Sequence, residues 1–121
     1  MGDYTLIAIG AQNEAKAGER VNVIASVKNI WYSSISISVT GLAGSLKLYF
    51  GNLSKWIAPG ATVNWSDGFI MPTSNVTVKV WSWFLAGDGK WYIDDEASKV
   101  IQYLAVAEAK FSGLVASYAR G

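Results

Sequence analysis

The feature that most constrains the fold is a period-two pattern of apolar and polar residues, interrupted by turn residues about every eight to twelve positions. In residues 20–29, Val21, Val23, Ala25 and Val27 share one face by alternation, as in a half-buried strand. The candidate strands are residues 4–10, 20–29, 33–41, 45–51, 53–60, 61–72, the two arms of a hairpin within 75–101, and 99–111. The pattern predicts seven to nine short strands.

No helix-length amphipathic segment separates these strands, so the sequence favours an all-β, Ig-like antiparallel sandwich of two sheets. A closed barrel is the alternative. Asp67-Gly68 lies inside a candidate strand and predicts a bulge or kink there. The 121 residues fit one domain, residues 1–104, followed by an extension of residues 105–121. Both a strand and a short helix remain open for that extension.

Composition limits the chemistry of the chain. There is no histidine and no cysteine, which removes the usual general base and the usual zinc and thiolate ligands. We therefore expect neither an enzyme nor a bound cofactor or metal. The net charge is +1 and the basic residues are scattered, so no nucleic-acid partner is predicted. No apolar run is long enough to span a membrane, and the N-terminus lacks the pattern of a signal peptide.

The hairpin within residues 75–101 is rich in aromatic residues. Alternation places Val76, Val78 and Val80 in the core and leaves Trp81 and Trp83 on the outer face. After the turn at residues 86–89, Trp91 or Tyr92 is predicted to pair across from the two tryptophans. The aromatic residues either brace the hairpin or form a contact surface for another subunit or for sugar rings.

Two further groups of polar residues are predicted to have no binding or catalytic role. Asp88, Asp94, Asp95 and Glu96 do not match the spacing of a calcium loop and are predicted to be solvated acids at a strand edge. The sequons at Asn52, Asn64 and Asn75 are read as chance triplets in a chain rich in Asn, Ser and Thr.

Three segments carry a resemblance to a known family: 16-KAGERVNVIASVKN-29, 57-IAPGATVNWSDGFIMP-72 and 76-VTVKVWSWF-84. They resemble prokaryotic Ig-like modules of the cell-adhesion-related (CARDB-like) type, with a closer likeness to versions in phage virion and prokaryotic surface proteins. In those versions a strand ending in aromatic residues is followed by a turn, another aromatic residue and Asp-Asp, as in Trp81, Trp83, Trp91, Asp94 and Asp95. The resemblance covers residues 3–104 and implies a non-catalytic structural or adhesive module.

The end of the chain echoes its beginning. Phe111-Ser112 and Leu114-Val115-Ala116 repeat the pattern of residues 4–8 once Gly113 is skipped, and this short match is either a chance likeness, a donated strand or the start of a following repeat. Together with the hairpin, this indicates a structural subunit of a virion or an extracellular filament, located outside the cell or on a virion surface. The alternative is an adhesion module that binds carbohydrate or a cell-surface receptor. The predicted interface residues are Trp81, Trp83, Trp91, Tyr92, Phe111, Leu114 and Tyr118.

Overall fold

The computed structural model describes residues 2–105, which form two β-sheets packed against each other. The strands are β1 Thr5–Gly10, β2 Glu14–Ala15, β3 Arg20–Asn29, β4 Ile35–Ala43, β5 Leu46–Leu48, β6 Ser54–Ile57, β7 Thr62–Ile70, β8 Val76–Leu85 and β9 Trp91–Tyr103. A 3-10 turn, Phe50–Asn52, lies between β5 and β6. The prediction of an all-β sandwich is confirmed.

The strand order is that of an Ig-like sandwich. The smaller sheet has the order β1-β3-β7, and the larger has the order β2-β9-β8-β4-β5, with β6 also paired to β4. Every pairing is antiparallel except that of β2 with β9. Without the short strands β2 and β5, β1, β3 and β7 are the first, second and fifth strands, and β4, β8 and β9 are the third, sixth and seventh. Immunoglobulin folds divide these strands between two sheets in the same way, except that the fourth strand, here β6, joins the sheet of the third. The first crossing of the chain between sheets takes place between β1 and β2.

The core lies between the sheets and is built mainly from β-branched residues. Val21, Val23, Ala25 and Val27 are fully buried on β3, and Val78 and Val80 are fully buried on β8. Their neighbours in sequence are mostly exposed, so burial along β3 alternates as the sequence predicts. Because stiff valine side chains fit a pleated, half-buried surface, the same pattern sets both the strands and the core.

Two local predictions are wrong. The register of β3 with β7 runs without a shift through Asp67 and Gly68, so there is no bulge at that position. Gly68 instead makes room for a neighbouring side chain, since a Cβ there would lie 2.6 Å from Nη2 of Arg20. The candidate strand 45–51 is also shorter than predicted: it ends at Leu48, and Leu46 is exposed.

Gly41→Ala is expected to destabilise the fold by about 1–3 kcal/mol, the usual cost of overpacking a core. A Cβ at Gly41 would lie 2.7 Å from the carbonyl oxygen of Lys79 and 3.1 Å from the ring of Phe50. Gly10→Ala is the matched control, because Gly10 is also a strand glycine and its nearest neighbour would lie 3.8 Å away. Urea unfolding of both variants checks this, and equal losses would rule out the close approach at Gly41.

Candidate functional site

The candidate site lies on the outer face of the larger sheet, the face turned away from the core. Trp81 and Trp83 lie on this face, half-buried, while Val78, Val80 and Ser82 alternate with them toward the core. The predicted division of this strand between core and outer face is therefore confirmed.

The residues that pair with these tryptophans differ from the prediction. Trp83 pairs with Ile93, Trp81 pairs with Glu96, and the ladder shifts register after Ser82. Trp91 pairs with Leu85 and lies on the outer face two residues before Ile93, nearer the turn. Tyr92 pairs with Phe84 on the opposite face, so it does not belong to the same surface as the tryptophans. The turn is one residue longer than predicted, so Ile93 rather than Tyr92 pairs with Trp83 on the outer face.

The outer face contains an open hollow of about 310 Å³. We call it the aromatic groove, and its large side chains are those of Leu42, Tyr49, Trp81, Trp83 and Ile93. The residues come from β4, β8 and β9 and from the chain just after β5. Tyr49 is 54% exposed and Ile93 is 51% exposed. The groove thus presents large apolar side chains to solvent on a rigid sheet.

A hydrogen bond holds one side of the groove in place. Nε1 of Trp83 donates to Oγ1 of Thr40 at 2.8 Å, and Thr40 pairs with Trp81 on the neighbouring strand. The indole N–H of Trp83 is therefore occupied within the protein. What the ring offers to a partner is its apolar surface.

The outer face is divided into two halves along β8. Trp81, Trp83 and Leu85, with Ile93 across from Trp83 and Trp91 across from Leu85, form what we call the apolar half. Thr77 and Lys79, with Ser98 across from Lys79, form the polar half. Polar residues therefore border the apolar surface on one side, an arrangement typical of interaction sites on otherwise soluble surfaces.

Trp56 extends the apolar half across the sheet, and the sequence prediction missed it. It pairs with Ser36 on β4, which places it on the same outer face, and it is 71% exposed. Ser38 on the same strand pairs with Trp83. The alternation of Ser36, Ser38 and Thr40 marks the outer face of β4, but the pairing that brings Trp56 beside Ser36 joins residues distant in sequence.

Tyr92 instead belongs to an aromatic cluster at the hairpin end of the sandwich. Its ring lies 5.9 Å from that of Phe84, and Phe84 lies 4.5 Å from Tyr4. The hydroxyl of Tyr92 donates to Oδ2 of Asp88 at 2.6 Å. This bond, helped by the backbone N–H of Lys90, lowers the pKa of Asp88, and the same bond raises the pKa of Tyr92.

Tyr92→Phe is expected to move the titration midpoint of Asp88 upward, toward the ordinary range of an aspartate. The phenol stabilises the charged carboxylate, so its removal favours the protonated form at a higher pH. Carboxyl-carbon NMR titration of Asp88 in the two proteins measures the shift. A titration midpoint of Asp88 that is the same in both proteins would contradict the bond.

The prediction of solvated acids is wrong for Asp94 and Asp95. Asp94 accepts hydrogen bonds from the N–H groups of Asp3, Tyr4 and Thr5 and from the hydroxyl of Thr5. Asp95 is buried, and its Oδ2 accepts from the N–H of Ile7 at 2.9 Å. The shift in register leaves Ile93 and Glu96 on the outer face, so both residues between them turn toward β1. The two carboxylates therefore join the sheets.

The same contacts cover strand edges that could otherwise pair with another chain. Asp94 and Asp95 occupy the N–H groups of Thr5 and Ile7 on β1. On β7, the carbonyl of Asn64 accepts from Nζ of Lys55 at 2.8 Å, and that nitrogen also lies 5.0 Å from the centre of the Trp65 ring. Side chains thus occupy two N–H groups of β1 and one carbonyl of β7 on the outer edges of the smaller sheet.

Phe111, Leu114 and Tyr118, and with them most of the predicted extension, lie outside the described residues. Within residues 2–105, no group of three or more acidic side chains is placed to hold a metal ion. The described part of the chain also contains no helix long and apolar enough to cross a membrane. No family model and no curated protein matches the sequence.

Proposed function

We propose that this protein is a non-catalytic structural subunit whose copies associate through the apolar half of the outer face. The observation that carries the proposal is the aromatic groove, where Trp81, Trp83 and Ile93 stay accessible on a rigid sheet. Large exposed apolar patches on soluble domains commonly mark interfaces, and aromatic residues are enriched at their centres.

A second copy of the chain suits this surface because little opposes self-association. The net charge is +1, so two copies repel each other only weakly. Side chains already occupy backbone groups on the edges of the smaller sheet, which makes pairing along those edges less favourable than contact through the outer face. The resemblance to modules of virion and surface proteins supports an assembly outside the cell or on a virion.

Carbohydrate binding is the alternative, and the polar groups of the groove favour it less. Sugar-binding sites combine an aromatic platform with several polar side chains that orient the hydroxyl groups. Here the indole N–H of Trp83 is already bonded to Thr40. The other side-chain polar groups at the groove are Lys47, the hydroxyls of Thr40 and Tyr49 and the indole N–H of Trp81, and none of the described residues that line it carries a carboxylate or carboxamide.

Sedimentation velocity over a concentration series tests the proposal. We expect the mean mass to rise from monomer toward larger species between micromolar and near-millimolar protein. A monomer over the whole range would contradict self-assembly. Tryptophan fluorescence titrated with polysaccharides then tests the alternative, since a saturable shift in a monomer would favour adhesion.

A further inference from the structure

The apolar half is too small to form a stable dimer by itself. Neighbouring strands lie about 4.8 Å apart and residues rise about 3.3 Å along a strand. The apolar half is four strands wide and five residues long on β8, so its footprint is roughly 300 Å². A stable interface covers about 800 Å² on each partner. Two outer faces packed together would also cover Lys79 and Glu96 of the adjoining surface, which disfavours a symmetric pair.

The groove has the dimensions for an extended segment with one or two large apolar side chains. Its volume of about 310 Å³ is in the range of small ligand pockets. The last part of this chain has that composition. Residues 106–121 contain Phe111, Leu114, Val115 and Tyr118 among mostly small residues, together with Glu108, Lys110 and Arg120.

The position where the sandwich ends shows how this segment could reach a groove. The N-terminal residues lie beside Asp94 at the hairpin end, whereas Tyr103 pairs with Ala15 at the other end. The thirteen residues of β9 separate these ends by about 40 Å. The sixteen residues that follow position 105 span up to about 50 Å when extended. A neighbouring copy beyond the Tyr103 end is within their reach.

We propose that residues 106–121 of one copy bind in the aromatic groove of another copy, which makes the association head-to-tail. This inference rests on the proposed function and names the occupant of the surface. Donor and acceptor are different parts of the chain, so each copy can give one contact and receive one. Such a contact does not close on itself in pairs and builds rings or open filaments.

Two full-length variants separate the donor from the acceptor. Phe111→Ser with Leu114→Ser removes the apolar side chains of the donor. Ile93→Glu places a charge in the acceptor, and Tyr49→Ser is a second acceptor variant that avoids any folding defect of the first. Near-ultraviolet circular dichroism confirms that each variant keeps its tertiary structure before the association is measured.

We expect each variant alone to lose at least about tenfold in self-association, because an unpaired charge or a missing anchor weakens a desolvated contact. An equimolar mixture of the donor variant and an acceptor variant should then form a discrete one-to-one dimer. In that dimer the intact segment of the acceptor variant binds the intact groove of the donor variant. Neither copy in this dimer can bind a third copy.

Two results would overturn the inference, and they are distinguishable. If the donor variant assembles like the wild type while Ile93→Glu does not, the groove binds something other than the segment, and the proposed function stands. If the wild type is a monomer at every concentration, the proposed function fails and the head-to-tail contact fails with it.

Discussion

Ile93→Glu is expected to weaken self-association by roughly tenfold or more, while Val100→Glu leaves it nearly unchanged. Both residues lie on β9 and on the same outer face. Ile93 is 51% exposed and Val100 is 47% exposed. Ile93 belongs to the aromatic groove, whereas Val100 pairs with Thr77 in the polar half. The two substitutions therefore differ mainly in which half of the face receives the charge.

The reason for the difference is desolvation. In the monomer both new carboxylates stay in contact with water, so each variant should keep its free energy of unfolding within about 0.5 kcal/mol. When a partner covers the groove, the carboxylate at position 93 must lose water without gaining a counter-charge. Sedimentation equilibrium of both variants and the wild type measures the effect. Equal weakening by the two substitutions would show that the groove is not the contact.

Asp94→Ala is expected to lower the free energy of unfolding by about 2–4 kcal/mol, since a single hydrogen bond to a charged group contributes about 1.5–3 kcal/mol. The carboxylate accepts from three consecutive N–H groups, and the bond from Thr5 is 2.7 Å long. Thr5 is fully buried, so its N–H and hydroxyl would lose a partner where water has no access. The hydrogen bonds of Thr5 with Ser82 and of Ile7 with Asp95 would then remain between β1 and the larger sheet.

Glu96→Ala is the matched control, because Glu96 is an exposed acid two positions farther along β9. It should change stability by less than about 0.5 kcal/mol. Hydrogen exchange adds a local readout, since the amides of Thr5 and Ile7 should exchange faster in Asp94→Ala than in Glu96→Ala. If the two variants unfold at the same urea concentration, the hydrogen bonds that Asp94 accepts do not contribute to stability.

The core of this protein could be predicted from sequence because its signal is local. Val21, Val23, Ala25 and Val27 follow a period of two without interruption, and a strand buried on one face requires that period. The same reasoning placed Val78 and Val80 in the core and Trp81 and Trp83 outside. The alternation on β8 is unbroken as far as Trp83, so no tertiary information was needed.

The remainder of the site depends on the length of the hairpin turn and on a single shift in register beyond it. One extra residue between Ile93 and Glu96 puts both on the outer face, and this turns Asp94 and Asp95 toward β1. No composition signal marks that shift in the sequence. The turn, which is one residue longer than the sequence predicts, places Ile93 on the outer face and Tyr92 on the opposite face, whereas the shift in register explains why Asp94 and Asp95 are not solvated.

Other members of the outer face were missed because their strands are short. Trp56 lies on β6, which has four residues, too few for alternation to reveal a face. Tyr49 lies between β5 and the 3-10 turn, where Asp67 accepts from the N–H groups of Tyr49 and Phe50. Trp56 takes its position from pairing with β4, and Tyr49 takes its position from the hydrogen bond that Asp67 of β7 accepts. Both contacts join residues that are distant in sequence.

The most direct test of the central claim is hydroxyl-radical footprinting of the wild-type chain as its concentration rises. If the apolar half is the contact, the labelling of Trp81, Trp83 and Tyr49 should fall several-fold as the mean mass increases. Tyr32 is 80% exposed in the loop between β3 and β4, so its labelling should stay constant and serve as the reference. A rise in mass with unchanged labelling of Trp81 and Tyr49 would contradict the claim.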